Sequence, residues 1–336
     1  MSWLVFALLS LLGWGFADLF YKKAAESAAD GSEKYSHLKT AVWVGIVMGA
    51  GAFCLLPFSE SAFSVSTLVT GFVRYTPASF GYIISMIIGY AGLRYLELSI
   101  VSPVQNASGA LSAIAMSLWF IIFSDNALDA ISEETGFTFG KTSGSELFNN
   151  ILICAGIAVI AAGVIALAVV EQRISRDTSD NNSKYRIGAL ALLFPLLYCV
   201  FDTVGTAADG IILSDDGMGL GELDVLVLYG FTFMAAGIVC WAVIRIKSGK
   251  FYNPFAKSER CNMYAALCEE AGQIAYVFAM AKKPVLAAPV IASYCIVSVI
   301  LSRIFIHEKL KASQYACVFA VIAGIIMLGI SEGISS

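Results

Sequence analysis

Apolar and polar positions along this chain fall into long blocks rather than the short periods of a water-soluble fold. Ten apolar runs cover residues 3–20, 38–58, 77–98, 101–123, 148–170, 187–208, 223–246, 262–280, 285–306 and 313–330. A helix needs about 20 mostly apolar residues to cross ~30 Å of hydrocarbon, so the blocks predict ten transmembrane helices. Between the third and fourth runs the gap is very short, which predicts a tight antiparallel hairpin. Two polar stretches stand out: 124–147, which holds Gly136, Gly140 and Gly144, and the charged stretch 171–186 with Asp180, Asn181 and Asn182. The second lies at the chain's midpoint. The expected architecture is therefore an all-α integral membrane protein of two five-helix halves. These are residues 1–170, with 124–147 as a loop insert, and 187–331, joined by a linker at 171–186.

Composition agrees. Of 336 residues, 58% are hydrophobic and 14% charged, and the mean hydropathy is +0.79. Soluble domains carry about 25% charged residues. These values exclude a soluble enzyme, a nucleic-acid binder and a disordered chain. The first run begins at Trp3 without a basic leader or a small-residue cleavage site, so it reads as a retained helix rather than a signal peptide. Seven of the eight cysteines fall well inside apolar runs, and no Cys/His cluster occurs, so neither a disulfide framework nor a metal site is expected.

The placement of charge predicts orientation. Of the 21 Lys and Arg, 17 lie in or at the margins of loops after odd-numbered runs and 4 after even-numbered ones. The stretch after the sixth run instead collects Asp209, Asp215, Asp216, Glu222 and Asp224. By the positive-inside rule the odd loops are cytoplasmic, and both termini lie outside the cell membrane.

The halves also repeat. A shift of 186 residues sets Tyr90 on Tyr276, Pro103 on Pro289 and Ser112 on Ser298, and a shift of 184 sets Asp18 on Asp202. In the last run of each half, Ala161-Ala162-Gly163-Val164-Ile165 matches Ile322-Ala323-Gly324-Ile325-Ile326. Because five is odd, the second half must cross in the opposite sense, as in secondary transporters built from inverted repeats.

Several motifs carry a family resemblance. Ala288-Pro289 is followed by a helix ending in Phe305-Ile306-His307-Glu308-Lys309-Leu310, then Gln314 and a last helix with Ala323-Gly324. Leu12-Gly13-Trp14-Gly15 with Lys22-Lys23 marks the opening helix. The chain resembles an EamA-type member of the drug/metabolite transporter superfamily. That resemblance implies ten helices in two repeats and a secondary transporter. The insert at 124–147 departs from the family's pattern, which has a short Glu-bearing turn there. The opening motif also resembles the sugar-importing branches.

Ionisable residues inside a span cost at least ~2.5–3.5 kcal/mol and are functional candidates by default. Glu269 and Glu270 lie about two turns into the eighth run. On a helix Glu269, Gln273 and Tyr276 share one stripe, while Glu270 lies about 100° further round. Two adjacent carboxylates in a low dielectric cannot both stay ionised cheaply, which suits proton coupling. At the equivalent positions of the first half stand Ile83 and Ile84. Asp202, near Thr203 and Thr206, reads equally as a cavity anion or a Thr-bonded structural residue. Asp18 has Lys22 four residues on, and a helix-surface ion pair is expected. Behind Pro103, Gln105 and Asn106 lie beside Ser108, Gly109 and Ser112, and after Pro289 come Ser293, Tyr294 and Ser298. Together they suggest two halves of a substrate pocket walled by Trp14, Tyr90, Tyr276 and Tyr294. Arg94 and Glu97 read as interfacial. Gly45-x-x-x-Gly49 reads as a helix-packing motif.

The leading reading is a secondary transporter of a small polar metabolite working by alternating access, with Glu269 and Glu270 as the proton site. Its partners would be the solute, protons and membrane lipid, as a monomer or homodimer. Nothing in the sequence asks for a cofactor, and there is no Walker motif to couple ATP directly. Sugar or nutrient uptake is the alternative within transport. An integral-membrane enzyme on a lipid-linked substrate, or a receptor, is the alternative outside it.

Overall fold

A computed structural model describes residues 2–27, 35–59, 65–92, 98–140, 143–179, 193–214, 220–249, 251–306 and 311–335. Among these the chain is helical, with no strand. In order, the helices are α1 (Trp3–Ser27), α2 (Ser36–Leu55), α3 (Val65–Gly92), α4 (Leu98–Phe123), α5 (Ala127–Thr135) and α6 (Gly144–Ser179). They continue with α7 (Leu193–Leu213), α8 (Glu222–Ser248), α9 (Arg260–Met280), α10 (Pro284–Ala292), α11 (Cys295–Leu301) and α12 (Ala312–Ser335). Eight helical segments among the described residues are long and apolar enough to cross a bilayer. These belong to α1, α2, α4, α6, α7, α8, α12 and the α10–α11 stretch. Helices α3 and α9 are of spanning length but more polar. The protein is a multi-pass membrane protein.

Each element ends for a local reason. A left-handed Gly136 (φ 70°) closes α5, and Gly249 (φ 68°) closes α8, a backbone conformation that only glycine adopts without strain. Proline at the first position of α10 costs no hydrogen bond. The outward faces carry bare apolar side chains such as Val73, Ile122, Val239 and Phe319, the surface expected against lipid.

The helices pack through small residues, which let backbones approach closely where lipid offers no hydrophobic drive between helices. Helix α1 lies on α9, α3 on α7, α2 on α8, α4 on α7 and α10, and α6 on α12. Gly13 faces Gly272, Gly81 faces Gly205, and Gly45 faces Gly237. In the α6–α12 pair the contacts are reciprocal. A β-carbon on Gly163 would meet Val321 at 2.5 Å, and one on Gly324 would meet Ile160 at 2.7 Å. Gly45 and Gly49 of α2 are packing residues, against Gly237 and Met234 of α8.

Five sequence expectations change. Helix α3 starts at Val65, twelve residues before the expected Pro77, which sits inside it. Helix α7 reaches Leu213, so Asp209 lies in the helix and not in the acidic loop. The insert contains α5, and Asn150 of α6 fixes the following turn by donating to the Thr138 carbonyl at 2.7 Å. Helix α6 runs on to Ser179, taking in the first half of the expected linker; residues 180–192 lie outside the described residues. The ninth run is also not one helix. It breaks at Ser293–Tyr294 between α10 and α11 and ends in a wider π-helical turn at Ser302–Ile306.

Candidate functional site

Between the two sets of helices lies a cavity of about 890 Å³, open mouth included. Its wall comes from α1, α3, α4, α7, α8, α9 and α10, with Tyr294 at the helix break. Three carboxylates face it, Asp18 from α1, Asp202 from α7 and Glu269 from α9, and no Lys or Arg lines it among the described residues.

Each carboxylate holds a hydroxyl from another helix. Ser298 donates to Asp18 at 2.8 Å, Ser108 donates to Asp202 at 2.5 Å, and Tyr21 donates to Glu269 at 3.2 Å. The first two contacts mirror each other. Asp18 of α1 takes a serine hydroxyl from α11, and Asp202 of α7 takes one from α4. Hydrogen bonds to a charged group are stronger than neutral ones, so these pairs hold the carboxylates in fixed orientation.

An aromatic wall completes the site. The Trp14 ring lies 5.3 Å from that of Tyr276 and 5.8 Å, edge-on, from that of Tyr294. Gly272 makes room for the indole, since a β-carbon there would meet Trp14 Cδ1 at 2.5 Å. At one end the cavity closes on a layer of hydroxyls. Tyr82 is hydrogen-bonded to Tyr276 and shares a 3.0 Å bond with Thr206. Behind that layer lies Asp209, fully buried, with neither carboxylate oxygen hydrogen-bonded.

Of the residues singled out in the sequence, the structure brings Trp14, Gln105, Asn106, Asp202, Glu269, Tyr276 and Tyr294 to this one cavity. Glu270 does not line it. Its carboxyl lies against Gly51 of α2, as the 100° rotation from Glu269 requires. Gln273 is fully buried outside the lining, and its amide has no hydrogen-bond partner. Asp18 is not a surface ion-pair residue, because it lines the cavity and bonds Ser298. Ser112 bonds the backbone carbonyls of Ser108 and Thr203, so Ser108 is the counterpart of Ser298. Arg94 and Glu97, and the side chain of Tyr90, lie outside the described residues. Sequence reasoning missed Tyr21, Tyr82, Tyr198 and Thr206. The signal available for Asp209 was the apolar Ile211-Ile212-Leu213 continuing the run beyond it.

Part of the sequence that builds this cavity also matches a known family. Residues 211–330 match the EamA-like transporter family. The family is part of the drug/metabolite transporter superfamily, and the EamA-like stretch takes in α8 to α12, with Glu269, Tyr276 and Tyr294 among its residues. The resemblance seen in the sequence thus holds for this part of the chain, and the EamA-like match carries a transporter-like function. No curated protein matches the chain. Among solved structures, one crystal structure of a protein aligns over 96% of this chain and 96% of its own, with a TM-score of 0.56 at 12% identity. At that identity the likeness is one of fold alone.

Proposed function

We propose that the protein is a secondary active transporter that moves a small polar metabolite across the cell membrane by alternating access, coupled to protons at Glu269. The carrying observation is the cavity itself, enclosed by helices from both ends of the chain, with Glu269 in its wall. In this reading α3 and α9 are also membrane spans. Their lengths of 28 and 21 residues suit a bilayer, and the polar groups they turn inward lower their hydropathy. Ten spans then form two inverted repeats, residues 1–170 and 187–331. The mirrored pairs Asp18–Ser298 and Asp202–Ser108, and Gly163–Val321 and Gly324–Ile160, support that arrangement. The ninth run breaks at Ser293–Tyr294, beside the lining residues Ala292 and Tyr294, as discontinuous helices do at binding sites in such carriers.

A second reading, uptake of a sugar, is favoured by one observation. Carboxylates beside a Trp14–Tyr276–Tyr294 wall can accept hydroxyl hydrogens while the rings cover an apolar sugar face. A thermal-shift screen of the purified protein against a metabolite library at two pH values identifies the solute class. In proteoliposomes loaded with the best hit, Glu269→Gln should lower the initial rate at least about tenfold, or about 1.4 kcal/mol, and flatten its pH dependence. Glu270→Gln should stay within about twofold of wild type. Wild-type rate and pH dependence in Glu269→Gln would remove the coupling assignment.

A further inference from the structure

Beneath the cavity, Asp209 sits in a setting that the carrier reading does not use. It is 0% exposed, in the last two turns of α7, with both oxygens free of hydrogen bonds. Tyr75 and Tyr82 of α3 and Tyr276 of α9 turn their hydroxyls toward it without closing a bond. Tyr229 of α8 packs edge-on against the rings of Tyr75 and Tyr82, at 6.5 and 5.8 Å. From α4 and α10 the neighbours of the adjoining Gly210 are Met116 and Pro284, both uncharged, and the other carboxylate acting on Asp209 is Asp202 of its own helix. No cation faces it among the described residues. An ionised carboxylate without partners at this depth is costly, so it must take a proton or draw in donors. The phenols can supply donors. The packing of Gly210, where a β-carbon would meet Pro284 at 2.8 Å, leaves the far side sealed.

We propose that Asp209 is a proton-binding residue whose occupancy sets the closure of the tyrosine layer. When ionised, it accepts hydrogens from Tyr75, Tyr82 and Tyr276 and pins α3, α7 and α9 together. When it holds a proton, the phenols return to one another, as in the Tyr82–Tyr276 bond, and the layer loosens. The proton reaches it from the cavity along hydroxyls that each take one and pass one on, because Tyr82 and Tyr276 line the cavity and also face Asp209, with Thr206 bonded to Tyr82 on the cavity side. The gating role rests on the transporter reading, but proton binding does not.

Two measurements on the full-length protein in nanodiscs test it. In the first, pH-difference infrared spectroscopy should show a protonated-carboxyl C=O band that is absent in Asp209→Asn and shifted in Tyr75→Phe and Tyr82→Phe. In the second, spin labels at Val73 and Lys282, with exposed Cys54 and Cys154 replaced by Ser, should move apart from alkaline to acid pH. Asp209→Asn should hold the longer distance at both, while Asp209→Glu keeps the pH response and guards against misfolding. An unchanged band pattern in Asp209→Asn overturns the proton site. Distances in Asp209→Asn that follow pH as in wild type overturn the gate. Neither measurement needs a solute. If both succeed while proteoliposomes move nothing, the transporter reading fails and this site stands.

Discussion

The α1–α9 pair and the α3–α7 pair are built alike and equipped differently. In each, two helices meet at a glycine contact, Gly13 with Gly272 and Gly81 with Gly205, and in each an Asp, Asp18 of α1 or Asp202 of α7, reaches a serine across the cavity. Yet α9 brings Glu269 to the cavity wall, whereas α3 has the buried, apolar Ile83 at the position aligned with it in sequence. On the α3–α7 side the extra carboxylate, Asp209, is held behind the tyrosine layer instead. Close approach of the backbones is met the same way in both pairs, by glycine at the contact. Chemistry does not have to follow, because one ionisable group in the low dielectric is enough and a second adds cost.

The strongest test of that difference is to make the halves chemically equal. Ile83→Glu would put a carboxylate on α3 with no hydroxyl provided for it, and should destabilise the protein by about 3 kcal/mol in thermal unfolding. A stable Ile83→Glu variant that restores pH-dependent transport to Glu269→Gln would show the two sides to be interchangeable. A smaller effect is expected where the sides are alike. Ser108→Ala and Ser298→Ala each remove a hydrogen bond to a carboxylate, worth about 2 kcal/mol, and their losses in solute affinity should agree within about threefold. A large inequality would mean that only one aspartate touches the solute. Smallest of all, Gly163→Ala and Gly324→Ala should each cost about 1 kcal/mol by overpacking the α6–α12 contact, again in near-equal measure. Unequal shifts in melting temperature would break the reciprocity seen there.

The helices themselves were largely legible, because block-wise hydropathy survives any tertiary arrangement. Part of the cavity lining was legible too. Glu269 and Tyr276 follow from helical periodicity, and Asp202, Gln105 and Asn106 from the cost of polar groups in a span. Asp18 was misread because Lys22 is its neighbour in sequence, whereas its partner Ser298 is 280 residues away and only the fold brings them together. Asp209 was lost among Asp215 and Asp216, since charge density alone does not show where a helix ends. The break at Ser293–Tyr294 has no marker beyond Pro289. A repeat register pairs corresponding residues, not touching ones, so the Tyr82–Tyr276 bond could not be read from it. Different shifts for different helices made a single register unreliable.

The short helix α5 has a practical side. It packs on α4 and on α10, and Lys283, just before α10, donates to the Glu133 carbonyl of α5. A nanobody raised against Ala127–Thr135 would therefore grip one helix from each half at once. It would act as a splint across α4 and α10, and would add the mass that single-particle imaging of so small a membrane protein needs.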